Sequence, residues 1–279
     1  MSPAPRPAAG GLLDAIGASV RTALEHRRSR VPLDRVARAA QSRTPGGHRF
    51  RAALTREGGA NIIAECKRRS PARGVLARAY DPAAIARGYE GAGAAAVSVL
   101  TEPTFFDGAL AHLEAVRAAV TLPVLRKDFV IDDYQIYEAR AAGADAVLLI
   151  VALLGEEELR RLVRCADALE LAALVEVHTR EELQAAASVG AGLIGVNSRN
   201  LRTLAVDVRV CEELIAHAPR GAIMVAESGI RSRADIDRLS RAGYRACLVG
   251  ERLMTAPDPA AALEALLAPE PRDPAQGAA

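Results

Sequence analysis

Ala144–Gly155 reads ADAVLLIVALLG, and the fold turns on what this run is. It is the most apolar run of the chain, yet it is about half the roughly 20 residues that a membrane-spanning helix needs. It reads instead as a β-strand buried on both faces, with its following loop, as in a parallel sheet.

Working outward, the same kind of run recurs. NIIAECK (61–67), AAVSVL (95–100), LPVLRK (122–127), LAALVEV (171–177), LIGVN (193–197), AIMVAE (222–227) and ACLVG (246–250) join DAVLLIV (145–151) to make eight. Between them lie stretches with helical patterning, such as DPAAIARGYEGAG, DDYQIYEARAAGA, GEEELRRLVRCADAL, TREELQAAASVGA and SRADIDRLSRAGY. Several end in Ala-Gly or Gly-Ala just before the next run, which is glycine chemistry for a helix C-cap. Eight β/α units in roughly 220 residues are the count and size of a TIM barrel. The expected fold is thus α/β, a (β/α)8 barrel. A doubly wound open sheet is the alternative, weakened by the lack of GxGxxG after the first run.

Before the first run, LLDAIGASVRTALEHRRSR has helical spacing until Pro32 interrupts it. PLDRVARAAQ reads as a second short helix and SRTPGGHRF as loop. The expected organisation is a disordered tail over 1–11, an N-terminal helical extension over 12–50, the barrel over 51–268 and a second disordered tail over 269–279. Both ends are rich in Pro and Ala, and the first lacks the apolar core of a signal peptide.

The net charge of +2 gives no electrostatic footprint for nucleic acid or an anionic membrane. Four cysteines show no CxxC or Cys/His ligand spacing and read as small buried residues of a cytoplasmic protein.

The polar residues at the ends of the runs carry the chemistry. Glu65 and Lys67 end the first, Lys127 the third, Glu176 the fifth, Asn197 the sixth and Glu227 the seventh. A charge does not belong in a strand buried on both faces, so its recurrence on strand after strand points to a site. Side chains alternate along a strand, so Glu65 and Lys67 share a face, and alternate barrel strands fill one interior layer. Two ammonium groups and up to three carboxylates are therefore expected to converge at the barrel mouth. Ordinary rim salt bridging would not explain the lysine usage. Of 36 basic side chains only Lys67 and Lys127 are lysine. An ammonium can shift its pKa and donate a proton, and a guanidinium effectively cannot, so at least one of the two is expected to be a general acid.

ESGI after the seventh run and LVGE after the eighth place Gly229 and Gly250 on loops that form phosphate sites in many such barrels. Glycine lets backbone N–H groups approach an anion closely, and Ser232 is a candidate cap for the helix that follows. Glu251 is awkward there, because its carboxylate must turn away from a phosphate.

Taken together, IIAECKRRSPARG, SVLTEPTFFDG, PVLRKDFVID, GADAVLLIV, LVEVHT, IGVNSRNLRT, VAESGI and CLVGERLM resemble, in order and register, the indole-3-glycerol-phosphate synthases of tryptophan biosynthesis. The resemblance covers the chain between its tails. It implies a cofactor-independent barrel that converts 1-(2-carboxyphenylamino)-1-deoxyribulose 5-phosphate to indole-3-glycerol phosphate, losing carbon dioxide and water. It assigns Lys127 as general acid, Glu176 as general base, and Glu65 and Lys67 as a catalytic pair. Asn197 and Glu227, with Arg199, Ser228 and Gly229, match substrate-site positions; Gly250 and Glu251 belong to the phosphate end. Phe106 and Phe129 would line the pocket for the anthranilate ring, and Ser70 would sit near the substrate's anionic groups. Ala72 and Arg73 depart from the more usual Ser and Lys of the turn after the first strand. Cys66 stands where an aliphatic residue is usual, and its parity points it out of the barrel.

Two other readings compete. A related phosphate-binding isomerase would use a carboxylate or Cys/Asp pair rather than two strand-end lysines. A non-catalytic phosphosugar-binding barrel would keep the glycines and lose Lys127 or Glu176. A lone His178 without ligand partners reads as a hydrogen-bonding loop residue, not a metal ligand. No metal, no membrane and no nucleic acid are expected, and a monomer acting on a small phosphorylated substrate is.

Overall fold

All eight runs are strands: β1 (Ile62–Cys66), β2 (Ala96–Leu100), β3 (Val124–Lys127), β4 (Ala146–Ile150), β5 (Ala172–Val177), β6 (Leu193–Asn197), β7 (Ile223–Glu227) and β8 (Ala246–Val249). Each lies parallel to its sequence neighbours, and β8 returns to pair with β1, which closes the barrel. The open-sheet alternative is thereby excluded. The computed structural model describes residues 11–269, so the expected tails, but for Gly11 and Pro269, lie outside the described residues.

A helix follows each strand: α4 (Pro82–Gly91), α5 (Leu110–Ala119), α6 (Asp133–Ala142), α7 (Glu156–Ala168), α8 (Arg180–Ser188), α9 (Arg209–Ile215), α10 (Arg233–Ala242) and α11 (Pro259–Leu267). Asp81, Asp132, Thr179 and Ser232 accept hydrogen bonds from the first-turn N–H groups of α4, α6, α8 and α10. Gly143 and Gly243 close α6 and α10 in the left-handed region, where a Cβ would be strained. No helix among the described residues is long and apolar enough to cross a membrane.

Strand parity divides the core in two. Outward-facing side chains such as Val97, Val147, Val175 and Val196 pack against the helices, and Cys66 joins them. Inward-facing side chains fill the barrel, with Ile63, Leu125, Leu174 and Val225 fully buried on the four odd strands. Two residues further along those same strands stand Glu65, Lys127, Glu176 and Glu227. The next interior layer is thus entirely ionisable, at the C-terminal mouth where barrel chemistry gathers.

Three helices precede β1: α1 (Leu12–Arg30), α2 (Leu33–Gln41) and α3 (Gly47–Ala53). Leu13, Ile16 and Val20 of α1 are buried with the barrel interior. Its rim contacts hold it to the loops at the mouth: Ser19 meets Thr104 at 2.8 Å and Arg28 meets Asp132 at 2.6 Å. α2 lies against α6. α3 is a correction, since its first four residues fall in SRTPGGHRF, where loop was expected. Its Phe50 is fully buried in the same interior cluster as Ala146, Ala172 and Leu193, which begin β4, β5 and β6, and so helps to fill the bottom of the barrel. Gly47 explains how a helix fits there: a Cβ on it would lie 2.6 Å from the Ala172 backbone nitrogen. Tertiary packing overrides the turn-like composition.

Candidate active site

The mouth of the barrel opens into a cleft of about 660 Å³. Every site residue expected from the sequence lines it, from Glu65, Lys67 and Ser70 through Phe106, Lys127, Phe129, Glu176, Asn197, Arg199, Glu227, Ser228 and Gly229 to Gly250 and Glu251. Its apolar wall includes Leu12 and Ile16 of α1, with Leu148 and Ile150 of β4.

Lys127 stands at the centre of the charges. Its Nζ lies 3.1 Å from Glu176 Oε2 and 3.7 Å from Glu227 Oε2. Burial works against the ammonium, but Glu176, Glu227 and Glu65 outweigh it and raise the lysine's pKa above its ordinary value. Glu227 shifts the other way for a carboxylate. Burial, with Glu176 alongside, pushes it well above the usual range despite Lys127. Its Oε1 has no hydrogen-bond partner among the described residues, which suits a carboxyl that keeps its proton. Glu176 is the closer counter-ion, and its other oxygen accepts from Asn197 Nδ2 at 3.0 Å. The site therefore holds a protonated amine directly beside a carboxylate, an acid and a base within one hydrogen bond.

Lys67, one residue past β1, forms a second pair with Glu65 Oε1 at 2.5 Å. Burial raises the Glu65 pKa, but Lys67 and then Lys127 prevail and hold it below the ordinary value. The two lysines are thus differently placed: Lys127 between Glu176 and Glu227, Lys67 against Glu65 alone, towards the loop after β1.

Asn197 links the charges to the phosphate end. Its Oδ1 accepts the Arg199 backbone N–H at 2.9 Å, and its backbone carbonyl accepts from His178 Nδ1 at 2.6 Å. A carbonyl can only accept, so His178 carries its proton on Nδ1 and acts as a hydrogen-bonding loop residue. Ser228 and Gly229 both take left-handed backbone angles, φ 65° and 75°. The N–H groups of Gly229 and Ile230 meet no acceptor among the described residues, which leaves them free for an anion. A Cβ on Gly229 would lie 2.7 Å from Val208 Cγ1, so only glycine fits this turn. The Glu251 carboxylate does turn away from these groups, towards Arg73 and Arg199. On the opposite side the rings of Phe106 and Phe129 are 5.9 Å apart and tilted by 36°, a wall suited to an aromatic ring.

The sequence reading overlooked the residues that hold Lys127 in place. Arg126 points outward from β3 and is buried, donating to Asp128 Oδ2 at 2.8 Å and to the Gln135 carbonyl at 2.7 Å. Asp128 also accepts from Thr101 Oγ1 at 2.6 Å and from the Phe129 N–H at 2.8 Å. This knot fixes the turn that carries both Lys127 and Phe129. The signal was present: an arginine at outward parity in an otherwise apolar buried strand must find a buried partner.

Residues 13–266 match the family model described as indole-3-glycerol phosphate synthase. Among relatives bearing that name, one from Carboxydothermus hydrogenoformans is 51% identical over 78% of this chain and 84% of its own. Others from Azospirillum brasilense (47%; 89% and 95%) and Streptomyces griseus (48%; 92% and 95%) are similar over nearly full length. Two solved structures that superpose on this chain are distant in sequence and share the fold alone. A mandelate oxidase mutant gives a TM-score of 0.57 at 19% identity, over 83% of this chain and 91% of that one. The N-acetylmannosamine-6-phosphate 2-epimerase of Clostridium perfringens gives 0.56 at 14%, over 76% and 93%.

Proposed function

The chain belongs to the indole-3-glycerol phosphate synthase family, and from that premise we propose how its side chains divide the reaction. The reaction itself is ring closure, decarboxylation and dehydration of 1-(2-carboxyphenylamino)-1-deoxyribulose 5-phosphate. The observation that carries the assignment is the Lys127–Glu176 pair, 3.1 Å apart at the floor of the cleft.

The substrate lies folded, its anthranilate ring against Phe106 and Phe129 and its phosphate on the backbone of Gly229 and Gly250. Holding ring and ketone in contact removes much of the entropic barrier to closure. The ring carbon that bears the carboxylate attacks the ketone carbon, and Lys127 gives a proton to the ketone oxygen as negative charge builds there. Loss of carbon dioxide returns its bonding pair to the ring and restores aromaticity. The new hydroxyl then leaves as water, taking a second proton, while Glu176 removes a proton from the neighbouring ring carbon. Two protons go to oxygen and one comes off carbon, so each turnover takes up one proton from solvent. Lys67, paired with Glu65, holds the substrate's anionic groups; Ser70 and Arg199 border the same end. Asn197 keeps the Glu176 carboxylate aimed, and Glu227 shields Lys127 from the other side.

On this reading residues 12–50 are an extension that closes the cleft and 51–268 the catalytic barrel. Four free cysteines suit a reducing cytoplasm. The test is fluorescence-detected formation of indole-3-glycerol phosphate by the purified protein without added metal. Turnover lost in Lys127 and Glu176 variants is expected; full turnover in either would overturn the assignment.

A further inference from the structure

Glu251 lines the phosphate end of the cleft, where a free carboxylate would repel the ligand, but its side chain is turned aside. Its two oxygens are engaged by arginines from two different loops. Arg73, in the loop after β1, donates to Oε1 through Nε at 3.0 Å and Nη2 at 2.9 Å. Arg199, in the loop after β6, donates to Oε2 through Nη2 at 3.0 Å. Glu251 itself begins the helical turn after β8 (Glu251–Met254). One carboxylate thus joins three of the eight loops that surround the mouth.

We propose that Glu251 is a positioning residue, which latches the loop after β1 across the phosphate end of the cleft by bridging Arg73 to Arg199. This deepens the synthase reading above and rests on it for the identity of the substrate.

Three observations support the latch. The segment it ties down is preformed: Arg69–Ser70 pairs antiparallel with Gly74–Val75, so Arg73 sits at the tip of one small hairpin. That segment carries Ser70, which lines the cleft, and follows directly on Lys67. The other end of the bridge reaches the catalytic charges, because the Arg199 N–H bonds Asn197, and Asn197 bonds Glu176. The fixed half is Arg199, whose Nη1 also donates to the Leu204 carbonyl at 3.1 Å. The releasable half is Arg73, whose side chain is 60% exposed. A pair that exposed is weak and screened by salt. It is strong enough to bias the hairpin towards the closed position and weak enough to open for substrate and product.

Glu251→Gln and Arg73→Met each remove the bridge and leave the core untouched. Hydrogen–deuterium exchange of residues 69–75 is expected to quicken in both. The Michaelis constant should rise about two- to fivefold, the scale of an exposed ion pair, with a smaller change in turnover. The double variant should resemble either single one, since both break the same contact. Glu251→Asp and Arg73→Lys, which keep the charges, should recover part of the protection. Exchange of 69–75 unchanged in Glu251→Gln, or effects on the Michaelis constant that multiply in the double variant, would overturn the latch. A lower Michaelis constant in Glu251→Gln would do the same, showing that the carboxylate only repels phosphate. A wild-type chain without synthase activity would refute the functional reading instead, and the exchange measurement would still decide the latch.

Discussion

Gly250 and Glu65 share one place at the barrel mouth: a Cβ added to Gly250 would lie 2.1 Å from Glu65 Oε1 and 3.0 Å from its Cβ. The glycine is therefore needed for space on the side of β8 that faces β1, whatever it contributes to an anion. Gly250→Ala should push the Glu65 carboxylate aside and with it the Lys67 ammonium that it holds. Overpacking of this kind costs about 1–3 kcal/mol, and a displacement near 1 Å in a catalytic group can cost about 10²-fold in rate. Thermal melting together with turnover measurements would check it. A variant of normal activity would show that Glu65 has room to move without consequence.

Glu227 and Glu65 should respond to pH with opposite signs. The folded protein raises the Glu227 pKa, so its contribution is present at low pH and is lost as pH rises through the folded value. The fold lowers the Glu65 pKa, so its contribution is present above the ordinary carboxylate range and fails only as pH falls through the lowered value. Glu227→Gln, which cannot ionise, should thus raise the melting temperature more at pH 8 than at pH 5. Glu65→Gln should lower it at both. Melting curves of the two variants against wild type across that interval provide the comparison. A Glu227→Gln gain that is larger at pH 5 would mean the carboxylate is ionised and needed by Lys127.

The part of the N-terminal extension in binding is best tested at Leu12, since Ile16, the other α1 residue in the cleft wall, is also buried in the core. Removing α1 altogether would strip Leu13, Ile16, Val20 and Leu24 from the core, so deletion confuses folding with binding. Leu12 lines the cleft but is only partly buried. Leu12→Ala should raise the Michaelis constant roughly 3- to 10-fold through lost apolar contact, with the melting temperature little changed. Steady-state kinetics and a melting curve would separate the two effects. An unchanged Michaelis constant would reduce α1 to scaffold.

How much of this was legible beforehand follows from the physics of each feature. The barrel was readable because burial on both faces makes every strand a continuous apolar run, and the site because charges interrupt those runs at one end. Parity alone placed Glu65, Lys127, Glu176 and Glu227 in one layer, since strand geometry is local and regular. Contacts between loops distant in sequence were not readable. Nothing in GERLM says that Glu251 turns towards Arg73, 178 positions away. Nor does SRTPGGHRF announce a helix, because α3 forms only where the open bottom of the barrel offers Phe50 a place to be buried. The partners of Arg126 could have been demanded from the sequence, though not named.

The two lysines give the sharpest test. Lys127→Arg keeps the positive charge, and a guanidinium could still bridge Glu176 and Glu227, so a purely electrostatic role should survive in part. A general-acid role should not: Lys127, although its carboxylate neighbours raise its pKa, still passes a proton to an oxygen that is becoming an alkoxide, whereas the planar guanidinium holds its proton more tightly and cannot place a compact donor at that oxygen. A positioned acid is worth about 10²–10⁴-fold, so turnover should fall on that scale while the Michaelis constant, set by the phosphate loops and the aromatic wall, moves far less. Lys67→Arg is the internal control. Lys67 faces Glu65 alone, at the edge of the loop after β1, where holding an anion is the natural task, and arginine can do that. Its replacement should weaken substrate binding and preserve more of the turnover. Measuring both variants on one substrate sets the two roles side by side. Near-normal turnover in Lys127→Arg with abolished turnover in Lys67→Arg would reverse the assignment and make the lysine beside Glu65 the acid.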